Sequence, residues 1–512
     1  MLDANALPTD VESLRLLVLE KDRQIEHLKL QLARLRRWKF GESSEQLEGA
    51  GQLPLSLEEL ASAIAQTESE PDSAPAAREK PVRRKHFPEH FERIEEVIEP
   101  QECRCPECGG ALKAFGTADE AEVLEVKTVT FTVTRHIRPK KRCPKCSTIV
   151  QAPAPPRPIE KSFAGASLLA LVLSWKYGFH VPLYRQCQIF AQAGLTISRT
   201  TLMQWVGASS RLLAPLAAAL GRYVLAASNL NADDTPVKVL APGKGKTKRG
   251  RLWTYVRDGR PWKSRDPPAV WYQYSPNWRG VYPQKHLADY RGKIQVDAYA
   301  GFDALFEPTR PGESPRIVEI ACAAHMRRKF FELYTATGSA LAKEALDRFG
   351  ELYRLETEIR GRSPEERLAA RKAYAVPKLK AFRAWMLEML GEVEKKSDIA
   401  GALQYSLKNW EALVRYTEDG QLGIDNNPAE RSIRGIGVGR RNYLFFGSDS
   451  GGERAAIIYA LIETCKLNGI DPQRYLEYVL ERIAEHPINR IEELLPWNVV
   501  DKLNPLREKI AA

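Results

Sequence analysis

The sequence predicts a multidomain α/β chain, on three observations. A heptad repeat opens it, two pairs of cysteines follow, and after residue 220 apolar strand-like runs that break at acids alternate with helical stretches. Its 512 residues are enough for three or more domains and at least one core of ordinary size. Lys and Arg number 76 against 65 Asp and Glu, a formal charge of +11. An excess of this size fits a polyanion partner. The basic residues also bunch. KGKTKRGR (244–251) holds five in eight, among them Lys244, Lys246, Lys248 and Arg249, and RHIRPKKR (135–142) holds another five.

The opening MLDANALPTDVES has no basic or apolar leader segment, so no secretory signal is expected. The longest apolar stretch, AGASLLALVLSW (164–175), is too short to span a bilayer. Eight cysteines in a chain this long, four of them in CxxC pairs, suit a reducing cytosol and a metal better than disulfides. A soluble cytoplasmic protein with no membrane partner is therefore expected.

In residues 1–45, Val11, Val18, Ile25 and Leu32 recur every seven residues, with Leu14, Lys21, Leu28 and Leu35 three positions later. β-Branched residues mostly at a and Leu mostly at d favour a parallel two-stranded coiled coil, hence at least a dimer. Residues 46–95, with TESEPDSAPAAREKPVRRK at 67–85, hold too little apolar surface to fold and read as linker. In residues 96–155, Cys105/Cys108 and Cys143/Cys146 supply the two knuckles of a tetrahedral zinc site, 34 residues apart. The alternating VLEVKTVTFTVTRHIRP between them reads as strands, which makes a zinc ribbon with one structural Zn²⁺ the sensible form. Cys103 is a surplus thiol.

Residues 160–215 contain VPLYRQCQIFAQAGLTISRTTLMQWV (181–206), with the outline of a helix-turn-helix. A first helix ends at Gly194 and Ser198 caps a second, with Leu202 and Trp205 inward and Arg199, Thr200 and Gln204 outward. An ordinary αα-hairpin fits this stretch equally well. The ribbon and the basic runs favour DNA.

Beyond residue 216, LNADDTPVKVL (230–240) is a strand broken by Asp233 and Asp234, and GKIQVDAYAGF (292–302) is a strand closing on Asp297. Further on, GIDNNPAERSIRGIGVGRR (423–441) starts a helix. Asn427 is its expected N-cap, Pro428 its first residue and Glu430 its third, where a carboxylate can bond back to the cap N–H. Arg431, Arg434, Arg440 and Arg441, with Gly435, Gly437 and Gly439, resemble a surface that tracks a nucleic-acid backbone. Acids on separate strands and a helix are what two-metal phosphoryl transfer requires, since they must converge on two Mg²⁺ ions about 4 Å apart. Any one of them alone is an ordinary turn former or cap.

NADDTPVKVL, IQVDAYAGF, ACAAHMRRKFFEL and IDNNPAERSIRGIGVGRRNYLFFGS together resemble the signature blocks of the insertion-sequence 66 family of DDE transposases. LRRWKFGESSEQL (35–47), the CPxCGG ribbon and the helix-turn-helix are similar to that family in the same order, so the resemblance covers roughly residues 11 to 480. It implies an RNase H-like core over residues 216–455, an all-α insertion at about 325–415, a C-terminal helical element at 456–512, and a metal-binding triad of Asp233, Asp297 and Glu430. The family's A-D-E-T-P block is A-D-D-T-P here, and the alignment selects Asp233 over Asp234. By the same resemblance, His325, Arg327 and Arg328 would lie beside the active site and touch DNA.

The implied activity is Mg²⁺-dependent cleavage of 3′ strands at element ends and their joining to target DNA by an oligomer associated with the nucleoid. Small accessory proteins of the same element are possible partners. A transposase-derived DNA-binding regulator without catalysis is the alternative, although all three positions are acids here. A structure-specific nuclease would need neither the coil nor the DNA-binding modules.

Overall fold

The computed structural model describes residues 131–134, 140–142, 149–151 and 156–503, apart from 161, 298 and 309–312, together with scattered positions between 10 and 31. The four ribbon cysteines and the expected linker lie outside the described residues. Short strands β1 (Lys140–Arg142) and β2 (Ile149–Gln151) pair antiparallel. At the N-terminus all the described positions from 11 to 31 are helical, and Val11, Val18, Ile25 and Leu28 stand exposed.

Helices α1 (Ala166–Leu173), α2 (Leu183–Gln192) and α3 (Arg199–Leu225) come next. Gly194 turns the chain between α2 and α3 at φ +83°, a conformation that costs glycine little. Ser198 caps α3 by accepting the Thr201 N–H at 3.0 Å. Leu202 and Trp205 are buried, and Arg199, Thr200 and Gln204 are exposed. Helix α3 then runs unbroken through residue 215 for 27 residues. Its far half packs on the sheet, where Gly221 lets Trp271 approach closely. The helix-turn-helix outline and the sheet therefore share one apolar core.

The sheet has five strands, β3 (Asn229–Ala241), β4 (Lys246–Arg257), β5 (Ala269–Ser275), β6 (Gly292–Val296) and β7 (Ile317–Ala321), in the order β5-β4-β3-β6-β7. The first three are antiparallel neighbours, while β6 and β7 run parallel to β3. A short helix, α4 (Val281–His286), links the two halves.

Six helices follow β7: α5 (Ala323–Thr337), α6 (Ala340–Glu358), α7 (Pro364–Ala370), α8 (Val376–Glu392), α9 (Asp398–Lys408) and α10 (Trp410–Val414). They close over a second core built from Phe330, Phe349, Phe382, Met386, Leu403 and Trp410. The chain returns to the sheet through α11 (Asn427–Asn442) and α12 (Asp449–Leu467), and ends in α13 (Pro472–Arg482) and α14 (Pro496–Leu503). Asp471 caps α13 by accepting the Gln473 N–H at 2.8 Å. Among the described residues, no helix is long and apolar enough to cross a membrane.

We propose that a partner helix covers the exposed Val11, Val18, Ile25 and Leu28. Replacing Ile25 and Leu28 by Asp should convert the chain from dimer to monomer in sedimentation velocity, since each aliphatic buried in such a seam contributes about 1.5–3 kcal/mol. A parent that sediments as a monomer at high concentration would refute the coil.

Candidate active site

The sheet decides where each acid points. Asp233 pairs in register with Thr254, and Thr254 with Tyr272, so all three share one face. Helix α11 covers that face with Ala429, Ser432, Ile436 and Gly439, which recur at helical spacing and are buried. Ser432 Oγ lies 2.9 Å from Thr254 Oγ1, and its carbonyl accepts the Tyr272 hydroxyl at 2.6 Å. Asp234 points to the opposite face. There it binds Arg251 at 2.7 Å and accepts the Trp278 indole N–H at 3.0 Å.

A neighbouring face of α11 presents Glu430, Ile433, Arg434, Gly437 and Arg440 to a cleft of about 300 Å³, whose remaining lining is Asp233 and Thr235 from β3 and His325 and Arg328 from α5. Asp297 stands just past the end of β6, two residues after Gln295, which pairs with Asn231 two residues before Asp233. It occupies the matching position on the adjacent parallel strand. Its Oδ1 accepts the Tyr299 N–H at 3.2 Å.

Glu430 does not cap its own helix. Asn426, one residue earlier than the sequence predicts, is the cap residue, and no side chain bonds there in the capping manner. The reason is tertiary. Asn426 is fully buried, donates to the Ala232 carbonyl at 2.8 Å, and accepts from Asn231 Nδ2 at 3.1 Å. Asn231 also donates to Gln295 Oε1 at 3.1 Å, and Gln295 donates to the Gly423 carbonyl at 3.0 Å. The Asn426 N–H goes to Cys322 Sγ at 3.2 Å, and Asp425 accepts the Asn427 N–H at 3.2 Å. Freed from capping, Glu430 has His325 Nδ1 at 3.5 Å and Arg328 Nη2 at 3.8 Å.

Cys322, His325 and Glu430 offer ligand atoms within 4.8 Å of one another. Burial pushes the Cys322 thiol well above its ordinary value, and the sulfur is already engaged as an acceptor. Asp233 is held well above the usual carboxylate range, first by burial and then by the charge of Asp297, with Glu430 and Asp234 adding to it; the N–H of Asp234 opposes the rise. The negative charges of Asp297 and Glu430 are thus felt at Asp233, where the electrostatics favour a cation.

The other expected site residues separate. Arg434 and Arg440 line the cleft, and Arg441 is exposed. Arg431 is half-buried beside Asp425 and Asp258, away from the cleft lining. Arg327, expected to touch DNA, is instead 1% exposed, with its guanidinium 5.7 Å from the Phe331 ring, so burial removes it from the surface. Lys244, Lys246 and Arg249 are exposed on the β3–β4 hairpin, while Lys248 is paired with Asp449 at 2.6 Å. Of the glycines, Gly437 lines the cleft. Gly439 faces inward, where a Cβ would fall 2.6 Å from the Tyr443 hydroxyl, so packing rather than nucleic acid accounts for it. Asn231, Gln295 and Asn426 are not singled out by the sequence analysis. For Asn231 and Gln295 the signal is a polar residue two positions before a strand acid, on the same face; Asn426 carries no such local signal.

Comparison with known proteins identifies the family. The profile described as Transposase IS66 family matches residues 161–454, and the IS66 C-terminal element matches 460–497. The zinc-finger binding domain of transposase IS66 matches 102–147, a span that holds all four ribbon cysteines, and the profile described as Transposase C of IS166 homeodomain matches 27–95. The chain belongs to the IS66 family. It is similar to three uncharacterized proteins of Sinorhizobium fredii (strain NBRC 101917 / NGR234). They are y4hP (38% identical, covering 92% of this chain and 88% of the relative), y4jD (35%, 96% and 97%) and y4qI (37%, 97% and 93%).

The crowding around Asp233 has a consequence for the metal-free protein. An unfolded aspartate titrates near about 4. The raised folded value means that stability from the neutral carboxyl is complete below about pH 4 and is lost as the pH rises toward the folded value. Asp233→Asn removes that loss. Its melting temperature in EDTA, relative to the parent, should climb as the pH rises above about 4. A constant difference across that interval would count against the crowding.

Proposed function

We propose that the protein is a DNA transposase that binds the ends of its element, cleaves the 3′ strands and joins them to target DNA. The family match supports this reading, together with Asp233 and Asp297 at matching positions of adjacent parallel strands and Glu430 in the same cleft as Asp233. The strand order, with three antiparallel strands and two more parallel to the first, supports an RNase H-like core.

The donor set fits Mg²⁺. Hard cations take carboxylate oxygens, Asp233 is destabilised by its acidic neighbours, and Glu430 Oε1 is buried without a hydrogen-bond donor among the described residues. Asp233, Asp297 and Glu430 would hold two ions. When bound, these supply the Lewis acidity that activates the attacking oxygen and stabilises the leaving one.

The chain's own residues do the rest. Arg434 and Arg440 flank the cleft and offer guanidinium groups to the phosphates of the strand that enters it. His325 and Arg328 face Glu430 from the α5 side, 3.5 and 3.8 Å from its carboxylate oxygens. Arg199, Thr200 and Gln204, on the exposed side of the helix-turn-helix, suit recognition of the element end. Cys105, Cys108, Cys143 and Cys146 fit one structural Zn²⁺ that closes the ribbon. An oligomer in the cytoplasm, working on nucleoid DNA with or without accessory proteins of the element, completes the reading.

Glu430→Gln keeps the size of the side chain and disturbs no cap. Its melting temperature should stay close to the parent's, and binding to the terminal repeat of the flanking DNA should persist. Nicking of that DNA with Mg²⁺ should fall by about a hundredfold or more, the scale of losing charge stabilisation at a phosphoryl-transfer centre. Asp233→Asn and Asp297→Asn should lose nicking alike. Near-parental nicking by Glu430→Gln would remove it from the site.

A further inference from the structure

We propose that Leu444 and Phe445 form an apolar wedge that enters the base stack of duplex DNA beside the carboxylate cleft and opens the pair next to the phosphate to be cut. The proposal rests on the transposase reading and adds to it the residues that distort the substrate.

Leu444 is 65% exposed and Phe445 46%, side by side in the loop that joins α11 to α12. An exposed Leu or Phe alone is ordinary. What distinguishes this pair is how firmly the loop presents it. On one side Tyr443 points inward, bonded to the Tyr459 hydroxyl, with the Lys176 ammonium 4.3 Å from its ring. On the other, Phe446 is buried and pairs with the end of β3, its N–H donating to the Lys238 carbonyl at 2.8 Å and its carbonyl accepting the Leu240 N–H at 2.9 Å. Anchored at both ends, the two residues between are turned largely toward solvent, their bases against a crevice lined by Val237, Ile436 and Tyr443.

Charge identifies the occupant. Arg441 is exposed just before the loop, and Arg440, which lines the cleft, donates to the Pro236 carbonyl at 2.5 Å. On the strand that anchors the loop, Lys238 sits directly opposite Arg249 in the register, and both are exposed. Like charges across a strand pair are destabilising unless an anion lies between them. An apolar tip flanked on both sides by cations fits nucleic acid, where Phe and Leu wedges unstack a base step while basic groups hold the backbone.

The cleft also suits such a device. A space of about 300 Å³ has the size of a small-molecule pocket. A nucleotide fits such a space readily, and opening the pair at the cut would let the strand settle deeper toward the acids. Arg440 belongs to both the cleft and the base of the loop, which makes the wedge and the acids neighbours.

The test uses the full chain and a duplex carrying the terminal repeat of the flanking DNA, with a fluorescent adenine analogue beside the scissile phosphate. Parent protein should raise the fluorescence without divalent ions and nick the duplex when Mg²⁺ is added. Leu444→Ser/Phe445→Ser should bind within a few-fold of the parent, abolish the fluorescence rise, and nick the matched duplex about tenfold more slowly, in keeping with the stacking lost. A mismatch at that pair should restore nicking. Phe445→Leu keeps the apolar tip and should retain most of the opening, which covers the case of a double variant that fails to fold. Opening and nicking equal to the parent, or a mismatch that does not rescue, would overturn the wedge. So would a variant that changes only the oligomeric state, which would make this face a protein contact. A parent that opens the duplex but nicks neither substrate would instead sink the transposase reading and leave the wedge standing.

Discussion

Asn426 is where the structure is tied together. Its fully buried amide bonds Ala232 of β3 on one side and Asn231 on the other, and Asn231 in turn holds Gln295 of β6. A buried polar group left without partners costs about 1–3 kcal/mol, so a network in which each amide is answered by another defines one geometry strongly. The geometry so defined sets the start of α11 against two parallel strands. Four residues later on that helix stands Glu430. The polar residues that pin the helix are each two positions before an acid on the strands, so the network and the carboxylates share a face and a register.

The helices between β7 and α11 act on the same point from the other side. Arg371 is fully buried, paired with Glu356 at 2.6 Å, and donates to the carbonyls of Tyr416, Asp419 and Leu422. Arg367 does the same for Gly420 and Leu422. Buried charges are costly unless every donor is answered, and here backbone carbonyls answer them. The loop that enters α11 is thereby locked to the second core, which gives that core a role beyond filling space. It also explains how a segment of 132 residues can separate Asp297 from Glu430 in sequence without loosening their relation in space.

Much of this is legible in the sequence, and the rest fails for identifiable reasons. Ser198 and Asp471 announce their helices because a cap is a local bond between neighbours. The mixture of strands and helices is legible from periodicity, and the strand acids stand out because an apolar run closes on each. The start of α11 misleads by one residue because Asn426 and Asn427 are equivalent caps locally, and only contacts to β3 distinguish them. Arg327 looks like a surface arginine in a basic run, yet helix geometry turns it into the core while Arg328 reaches the cleft. Gly439 sits among arginines but answers to Tyr443, which lies on a face that the sequence does not reveal. In each case a long-range neighbour overrides a correct local rule.

The central claim is that Asp233, Asp297 and Glu430 share one cation site although they are far apart in the chain. Replacing Mg²⁺ by Fe²⁺ with ascorbate and peroxide makes a bound ion cut the backbone nearest to it. Mapping the fragments tests the claim without any DNA. The account predicts cuts at three places together, beside Asp233, beside Asp297 and between Asn426 and Glu430, all suppressed by excess Mg²⁺ and all weakened by Glu430→Gln. Cuts confined to one of these segments, or lying elsewhere and unaffected by Mg²⁺, would contradict it.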